Sequence, residues 1–298
     1  MNNLSRYHLK LKNQSCINNK DNSINYQNLQ DLQYQIITFY KFVTQAIPED
    51  QLQILRDDIY NILKNFNIKG TVLIASEGIN GTISAANLEE LNKAFNFLQA
   101  QAYIGKILGE KYSEAGFNPF RKLKIKVRPE IVTMGLGKID VINQTGTHVN
   151  AKEWNQLLED PDAIIIDTRN DFEYKMGTFK NSVNPDTKYF RHLPEYIKNN
   201  LNKPEDKNKK IAMFCTGGVR CEKSTAYLKQ LGFTKVYQLD GGILNYLKQV
   251  DPQENAWEGR CFIFDDRIAV NNNIEPVGIP EDYINYGRRD LMAKDDEY

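Results

Sequence analysis

The chain has 298 residues, enough for two domains, and 41% of them are hydrophobic, which supports buried cores. Its 38 basic and 38 acidic side chains balance, so composition gives no sign of a protein that binds nucleic acid through a large excess of positive charge. No apolar run has the length of a membrane span, the N-terminus lacks a signal-peptide core, and four cysteines without paired spacing predict reduced thiols in the cytoplasm.

Residues 1–32 are rich in asparagine and weakly periodic, which predicts a polar, flexible arm. The next segment, residues 33–134, has the pattern of a ferredoxin-like α+β domain with the element order βαββαβ. Helices are expected after Pro48 and Asn87, and residues 101–120 are expected to form a loop. The expected strands are 35–43, 71–75, 82–85 and 123–133.

The last of these predicted strands alternates apolar and charged residues, and the cations in and beside it include Arg121, Lys122 and Lys124. A charged sheet edge that resists pairing with other strands is the common reason for such a pattern, and the sequence alone favours it. The sharper hypothesis is a patch that contacts the phosphates of an RNA.

Residues 135–147 have the pattern of a linker, and residues 148–251 predict a parallel-sheet α/β domain. The continuous apolar runs at 163–166 and 211–214 are typical of buried parallel strands. Residues 252–298 follow as a C-terminal extension, in which Cys261 is expected to pack inward.

The most informative stretch follows the apolar run 211–214 and precedes a helix expected to begin near Cys221 or Glu222. It reads Cys215-Thr216-Gly217-Gly218-Val219-Arg220. The two glycines let the backbone curl around one atom, so that successive N–H groups form an anion-binding nest. The helix N-terminus and the guanidinium of Arg220, expected at the rim, add positive charge. Together these features predict a lowered pKa for Cys215 and a nucleophilic thiolate.

Three neighbouring residues have both a structural and a chemical interpretation. Cys221 is expected to pack in the first turn of the helix, and a resolving thiol is the alternative. Asp167 and Arg169 follow the run 163–166 and either brace the strand end as an ion pair or support the active site directly. No metal site is predicted, because the three histidines are scattered and no Cys-x-x-Cys pair is present.

The loop resembles the active-site loop of the rhodanese superfamily, which has the pattern Cys-x-x-Gly-x-Arg. Related phosphatases have one more residue than the four that separate Cys215 from Arg220, so the resemblance argues against a phosphatase. It implies a cysteine persulfide on Cys215. The turn 240–243 and the segment after Asp167 are also rhodanese-like, with Thr178 where many rhodaneses have histidine.

A ferredoxin-like domain followed by a rhodanese-like domain resembles the bacterial tRNA uridine hydroxylase family. Matching stretches fall across residues 33–270, at 75–83, 167–171, 177–181, 215–223, 240–243 and 257–270. The resemblance implies oxygen-dependent 5-hydroxylation of the wobble uridine, position 34, with tRNA as partner and no stable protein partner inferred. Some relatives continue into a cysteine-containing C-terminal segment, whereas the last cysteine here is Cys261.

The residues show no cofactor site, so molecular oxygen and an unidentified electron donor are implied by the resemblance alone. Taken by themselves, the residues of the loop favour a sulfurtransferase that carries a persulfide on Cys215. A third hypothesis is a non-enzymatic tRNA-binding rhodanese in which Cys215 is dispensable.

Overall fold

A computed structural model describes residues 33–201 and 203–277 of the protein. The predicted arm, residues 1–32, and residues 278–298 of the predicted extension lie outside this part of the chain. Within it, no helix combines the length and the apolar character that crossing a membrane requires.

The first domain is a five-stranded sheet with two helices packed against it. Its elements are β1 (Tyr34–Phe42), α1 (Glu49–Asn65), β2 (Lys69–Ala75), β3 (Gly78–Ala85), α2 (Leu88–Ala100), β4 (Lys111–Ala115) and β5 (Leu123–Val127). The strand order is β4-β1-β3-β2-β5. The first four strands in this order pair with one another antiparallel, which is the ferredoxin-like arrangement, and the predicted fold is confirmed.

The loop expected at residues 101–120 was wrong, and the strand expected at 123–133 is present but shorter. The strand that closes the ferredoxin-like sheet is β4, which lies within the stretch expected to be a loop. It pairs with β1 from Tyr34↔Ala115 to Thr38↔Lys111. The predicted strand 123–133 is shorter and ends as β5 at Val127, where it adds to β2 in parallel. The sequence of β4, KYSEA, has too few apolar residues to be recognised alone, because its pairing with β1 defines it.

The helices of the first domain present apolar faces to the sheet. Pro48 precedes α1, Glu49 and Asp50 occupy its first turn, and this placement suits the positive end of the helix dipole. Leu55 and Ile59 are among the leucines and isoleucines of α1 that are buried against sheet residues in one core. Burying such a side chain stabilises the fold by about 1.5–3 kcal/mol.

The second domain is built around a four-stranded parallel sheet. Its helices are α3 (Val141–Gln144), α4 (Ala151–Glu159), α5 (Asp171–Met176), α6 (Leu193–Asn200), α7 (Val219–Gln230) and α8 (Gly242–Gln249). Its strands are β6 (Thr147–Val149), β7 (Ala163–Asp167), β8 (Gly177–Phe179), β9 (Lys210–Phe214), β10 (Lys235–Leu239), β11 (Trp257–Gly259), β12 (Cys261–Phe262) and β13 (Ala269–Val270). The sheet order is β6-β10-β9-β7, and β8–β11 and β12–β13 form two small antiparallel sheets.

The parallel register brings the loops after β7 and β9 to the same edge. Asp167, the last residue of β7, pairs with Phe214, the last residue of β9. The carboxyl ends of parallel strands form the usual site edge in such sheets. Cys215, directly after β9, therefore lies beside the segment that follows Asp167.

Candidate active site

Cys215 begins a tight loop that ends at Gly218, the N-cap of α7. Gly218 has φ +103°, and a Cβ atom on it would lie 2.8 Å from the hydroxyl of Tyr40, so both its conformation and its surroundings require glycine. Its backbone N–H donates a hydrogen bond to Cys215 Sγ at 3.1 Å. The loop thus turns a backbone donor toward the sulfur, as the predicted nest requires.

The start of α8 holds the other side of this loop. The N–H groups of Ile243 and Leu244 donate to the carbonyl oxygens of Cys215 and Thr216 at 2.9 and 3.1 Å. A Cβ atom on Gly242 would lie 2.4 Å from the carbonyl oxygen of Cys215. The rhodanese-like turn 240–243 therefore lets the two backbones approach closely and keeps the loop rigid.

The environment of Cys215 favours its thiolate. The side chain is buried, with 1% of the residue exposed, and burial by itself raises the pKa of a thiol. Hydrogen bonding from the Cys221 thiol, the charge of Arg220 and the N–H groups of Cys221 and Gly218 outweigh burial and lower the pKa from 9.0 to about 6. Cys215 is thus mainly a thiolate at neutral pH, the reactive form of a cysteine.

Arg220 differs from its expected position. The helix begins at Val219 instead of near Cys221, so Arg220 lies in the first turn of α7 and points inward. Its Nη1 and Nη2 donate to the two carboxylate oxygens of Glu173 at 2.7 and 2.9 Å, and both side chains are buried. Because Glu173 neutralises it, Arg220 acts on Cys215 as half of an ion pair rather than as a free cation at the rim.

Cys221 lies in the first turn of α7 and is fully buried. Its sulfur is 3.7 Å from the hydroxyl oxygen of Thr168. Burial, followed by the hydrogen bond to Cys215 and the charge of Cys215, raises the pKa of Cys221 well above its usual value. Cys221 therefore stays a thiol that can donate to the neighbouring thiolate, and its predicted alternative role as a resolving thiol stays a prediction.

Asp167 and Arg169 form a fully buried ion pair. Arg169 Nη2 donates to Asp167 Oδ2 at 2.6 Å and to the carbonyl oxygen of Gly177 at 2.6 Å. The hydroxyl of Thr178 donates to Asp167 Oδ2 at 3.2 Å. These contacts tie the end of β7 to β8, which is the bracing geometry. Burial alone raises the pKa of Glu173, but Arg220 and, to a smaller extent, the charge of Arg169 lower it. A direct chemical role for this pair stays a prediction.

The first domain covers the loop with Tyr40 of β1. The Tyr40 hydroxyl donates to Glu222 Oε1 at 2.9 Å. Glu222 also accepts from Thr145 Oγ1 at 2.7 Å and lies 3.0 Å from His148 Nε2. His148 therefore contacts the helix that starts at the active-site loop, although no sequence pattern placed it there. The site lies where the two domains meet.

A second contact between the domains involves Lys223, which is 1% exposed. Its Nζ lies 2.8 Å from Glu77 Oε1, pairs with Glu130, and donates to the carbonyl oxygen of Val132 at 3.0 Å. Tyr40 and Glu130 did not stand out in the sequence. Glu77 lies in the family-matching stretch 75–83, and Glu222-Lys223 are two charged residues next to the reactive loop.

Comparison with known proteins agrees with this two-domain architecture. Residues 34–131 match the family described as UPF0176 acylphosphatase like domain, and residues 150–249 match the rhodanese-like domain. Two curated relatives named tRNA uridine(34) hydroxylase, from Legionella pneumophila strains Corby and Paris, are each 47% identical over 251 residues. Each alignment covers 83% of this chain and 95% of the relative. The chain belongs to the tRNA uridine(34) hydroxylase family. A rhodanese-like domain protein from Staphylococcus aureus is 29% identical over 34% of this chain and 90% of that structure, with a TM-score of 0.28.

In this member of the tRNA uridine(34) hydroxylase family, Arg121, Lys122 and Lys124 lie in and just before the edge strand β5, away from the loop, and are exposed. Arg121 makes one loose ion pair, 3.5 Å from Asp266. A depression of about 540 Å³ adjoins the strand, lined by Lys122, Lys124, Lys126, Arg56, Tyr60 and apolar residues of β5. The structure thus brings together the predicted loop residues, and it keeps the predicted RNA-contact residues apart from them.

The described ranges, 33–201 and 203–277, contain no group of three or more histidine, cysteine, aspartate or glutamate residues arranged to hold a metal ion. Cys261 is buried, and burial raises its pKa to about 12, so it stays a thiol. Of the three cysteines described, the environment of Cys215 alone lowers the pKa.

Proposed function

We propose that this protein hydroxylates C5 of uridine 34 in tRNA, using molecular oxygen. The observation that carries the proposal is the 47% identity to relatives named for this activity, which extends over 251 residues and therefore over both domains. In the reaction, the C5–H bond is replaced by C5–OH and the second oxygen atom leaves as water. The balance requires two electrons and two protons, which an external reductant supplies.

Cys215 is the proposed reacting group. Its lowered pKa makes the sulfur a nucleophile at neutral pH, and the family resemblance adds a persulfide as the form it takes. The loop is small, closed by Gly218 and by the start of α8, which suits one extra sulfur atom better than a phosphate. Arg220 and Glu173 fix the charge beside it.

The proposed tRNA contact is the basic strand β5 with the residues that precede it. Lys122, Lys124 and Arg121 present charge to solvent, where they can replace the counterions of RNA phosphates. Beyond the end of β5, Glu130 meets Lys223 of α7, so this surface continues toward the helix that starts at the Cys215 loop. We place the reaction in the cytoplasm, where tRNA is found and thiols stay reduced.

The function is tested with purified protein, a reductant and tRNA from a strain that lacks the gene, under isotopically heavy oxygen gas. The proposal predicts 5-hydroxyuridine at position 34 that carries one heavy oxygen atom. In a control under ordinary oxygen, adding oxygen and exchanging oxygen for sulfur change the mass almost equally, so there the nucleoside is identified by retention time and by its failure to react with thiol-specific reagents. Product without heavy oxygen contradicts the proposal.

A sulfurtransferase is the second candidate, and the small loop around Cys215 favours it. The same assay, given a sulfur donor such as thiosulfate, separates the two functions because a sulfurtransferase yields a thiolated product that contains no heavy oxygen. A tRNA-binding rhodanese without activity yields neither product while it still binds tRNA.

The tRNA contact is tested by the triple change Arg121→Ala, Lys122→Ala and Lys124→Ala. Affinity should fall, and the slope of log affinity against log salt should flatten by about 0.7–0.9 for each phosphate that the variant no longer neutralises. The matched control replaces three exposed lysines of the second domain, Lys152, Lys198 and Lys235, with alanine. Equal decreases in both variants mean that β5 is only a charged sheet edge.

A further inference from the structure

Lys111 is a buried cation at the start of β4, the strand that the sequence did not predict. Only 7% of the residue is exposed. Its Nζ donates to the carbonyl oxygen of Gly109 at 2.9 Å and lies 5.5 Å from the centre of the Tyr40 ring. No carboxylate within the described residues lies at ion-pair distance from it. A buried ammonium with one carbonyl and one ring as partners is poorly compensated.

Lys111 differs in this respect from the other buried cations around the site. Arg169 pairs with Asp167 at 2.6 Å, Arg220 pairs with Glu173 at 2.7 Å, and Lys223 pairs with Glu77 and Glu130. Each of these charges is cancelled locally by a carboxylate. The position of Lys111 therefore calls for an anion of another kind.

The anion that the geometry offers is the thiolate of Cys215. The Tyr40 ring beside Lys111 carries the hydroxyl that lies over Gly218, whose N–H is bonded to Cys215 Sγ. The negative groups that act most strongly on Lys111 are Cys215, Asp240 and Glu110, and the strongest positive one is Lys248 of α8. Cys215 attracts the ammonium most strongly of the three, and it is buried, whereas Asp240 is exposed to water that screens its charge.

We propose that Lys111 is an active-site cation that the first domain contributes to the second, where it stabilises the sulfur of Cys215 as an anion, both as thiolate and as persulfide. The inference rests on the proposed function only in taking Cys215 as the reacting group. Because the ion pair of Arg220 with Glu173 carries no net charge, Lys111 supplies the net positive charge beside the sulfur. The ferredoxin-like domain thereby takes part in the chemistry.

The burial of Lys111 fits this role. Burial lowers its pKa, although the charge of Cys215 acts in the opposite direction. A lysine with a depressed pKa in the folded state destabilises that state wherever its ammonium stays charged, which includes neutral pH. Such a cost is typical of groups held for function rather than for stability.

The test is the pH profile of Cys215 alkylation by iodoacetamide, followed by mass spectrometry of the Cys215 peptide. The variants are Lys111→Met, which removes the charge at similar length, and Lys111→Arg, which keeps it. Lys248→Met is the matched control, because Lys248 Nζ donates to the backbone carbonyl of Tyr112 and its replacement removes a lysine from the same contact between α8 and β4. For each variant, the alkylation rates are divided by that variant's own rate at high pH before the midpoint is read. Differences in access to the buried sulfur then cancel.

In Lys111→Met the midpoint should rise from about 6 by roughly one pH unit, as expected for losing one charge near a buried group. The alkylation rate at pH 6 should then fall about fivefold relative to the rate at high pH. Lys111→Arg and Lys248→Met should keep the wild-type midpoint. An unchanged midpoint in Lys111→Met, or an equal shift in Lys248→Met, overturns the inference.

Thermal melting of the same variants gives a second readout. Lys111→Met should melt at or above the wild-type temperature, because it removes a buried charge that lacks a carboxylate. A lower melting temperature with an unchanged alkylation midpoint means that Lys111 is a structural residue, which contradicts the inference. Because neither measurement uses tRNA, a failure here is distinct from a failure of the heavy-oxygen assay.

Discussion

Cations lie beside both the Cys215 loop and strand β5, but the arginine beside the loop is buried in an ion pair and the one near β5 is exposed to solvent. Beside the loop, Arg220 is buried and bonded to both oxygens of Glu173. Near β5, the Arg121 side chain is 76% exposed and 3.5 Å from Asp266. A buried pair fixes the local charge and is costly to break, whereas an exposed cation stays free to meet a mobile partner. The first arrangement suits chemistry at one sulfur atom, and the second suits binding of a long anion.

The largest expected effect is on the buried side of this comparison. Glu173→Gln leaves Arg220 as an uncompensated charge and should lower the free energy of unfolding by about 3–5 kcal/mol. For a chain of this size the melting temperature should drop by roughly 10 °C. Glu89→Gln, which breaks the exposed pair with Lys93, is the control and should leave the melt unchanged. Equal melting temperatures for Glu173→Gln and Glu89→Gln would mean that the buried and the exposed ion pair contribute equally to stability.

A smaller effect is expected at the contact between the domains. Tyr40→Phe deletes the hydroxyl that donates to Glu222 and should lower the free energy of unfolding by about 1–2 kcal/mol. Tyr112→Phe removes a comparable hydroxyl from an exposed bond to Asn92 and serves as the control. Urea denaturation measures both. If Tyr40→Phe unfolds like the wild type, the bond to Glu222 does not stabilise the contact.

His148 should make the stability of the second domain depend on pH. Hydrogen bonding to Glu222 raises the pKa of His148 despite its partial burial. The stabilising contribution is therefore fully present below the unfolded pKa of about 6.5 and is lost as pH rises through the higher folded pKa. The stability difference between the wild type and His148→Gln should shrink between pH 6 and pH 8. A stability difference that grows between pH 6 and pH 8 would contradict a stabilising contribution from protonated His148.

The smallest change in stability is expected on the exposed side. Arg121→Ala should change the free energy of unfolding by less than about 1 kcal/mol, because the Arg121 side chain is 76% exposed and its ion pair with Asp266 is loose. The same variant should bind tRNA more weakly and with a lower salt dependence. A large decrease in stability, measured by urea denaturation, places Arg121 with the structural cations instead.

The sequence was informative about the loop because its chemistry is local. The spacing from Cys215 to Arg220 and the glycine at 218 are enough to predict a lowered thiol pKa. The partner of Arg220 was harder to predict, because Glu173 lies 47 residues earlier in the chain and pairs with it only after β7 and β9 align. The helix starts at Val219, two or three residues earlier than expected, because Gly218 with its positive φ serves as N-cap.

The features that could not be predicted from the sequence are contacts between segments that lie far apart in the chain. Strand β4 has no apolar alternation and forms through pairing with β1, so residues 101–120 were expected to be a loop. Tyr40 and Lys111 lie on these two strands, and only the packing of the first domain against the second brings them to the Cys215 loop. A tyrosine in a strand and a lysine in a predicted loop carry no local signal of such a role.

The central proposal is that hydroxylation at C5 of uridine 34 requires the sulfur of Cys215. The direct measurement is the amount of 5-hydroxyuridine at position 34 in tRNA from a deletion strain that expresses Cys215→Ser or, as control, Cys261→Ala at matched protein levels. Cys215→Ser should abolish the modification, and Cys261→Ala, which changes a buried thiol outside the loop, should retain it. Full modification with Cys215→Ser contradicts the account.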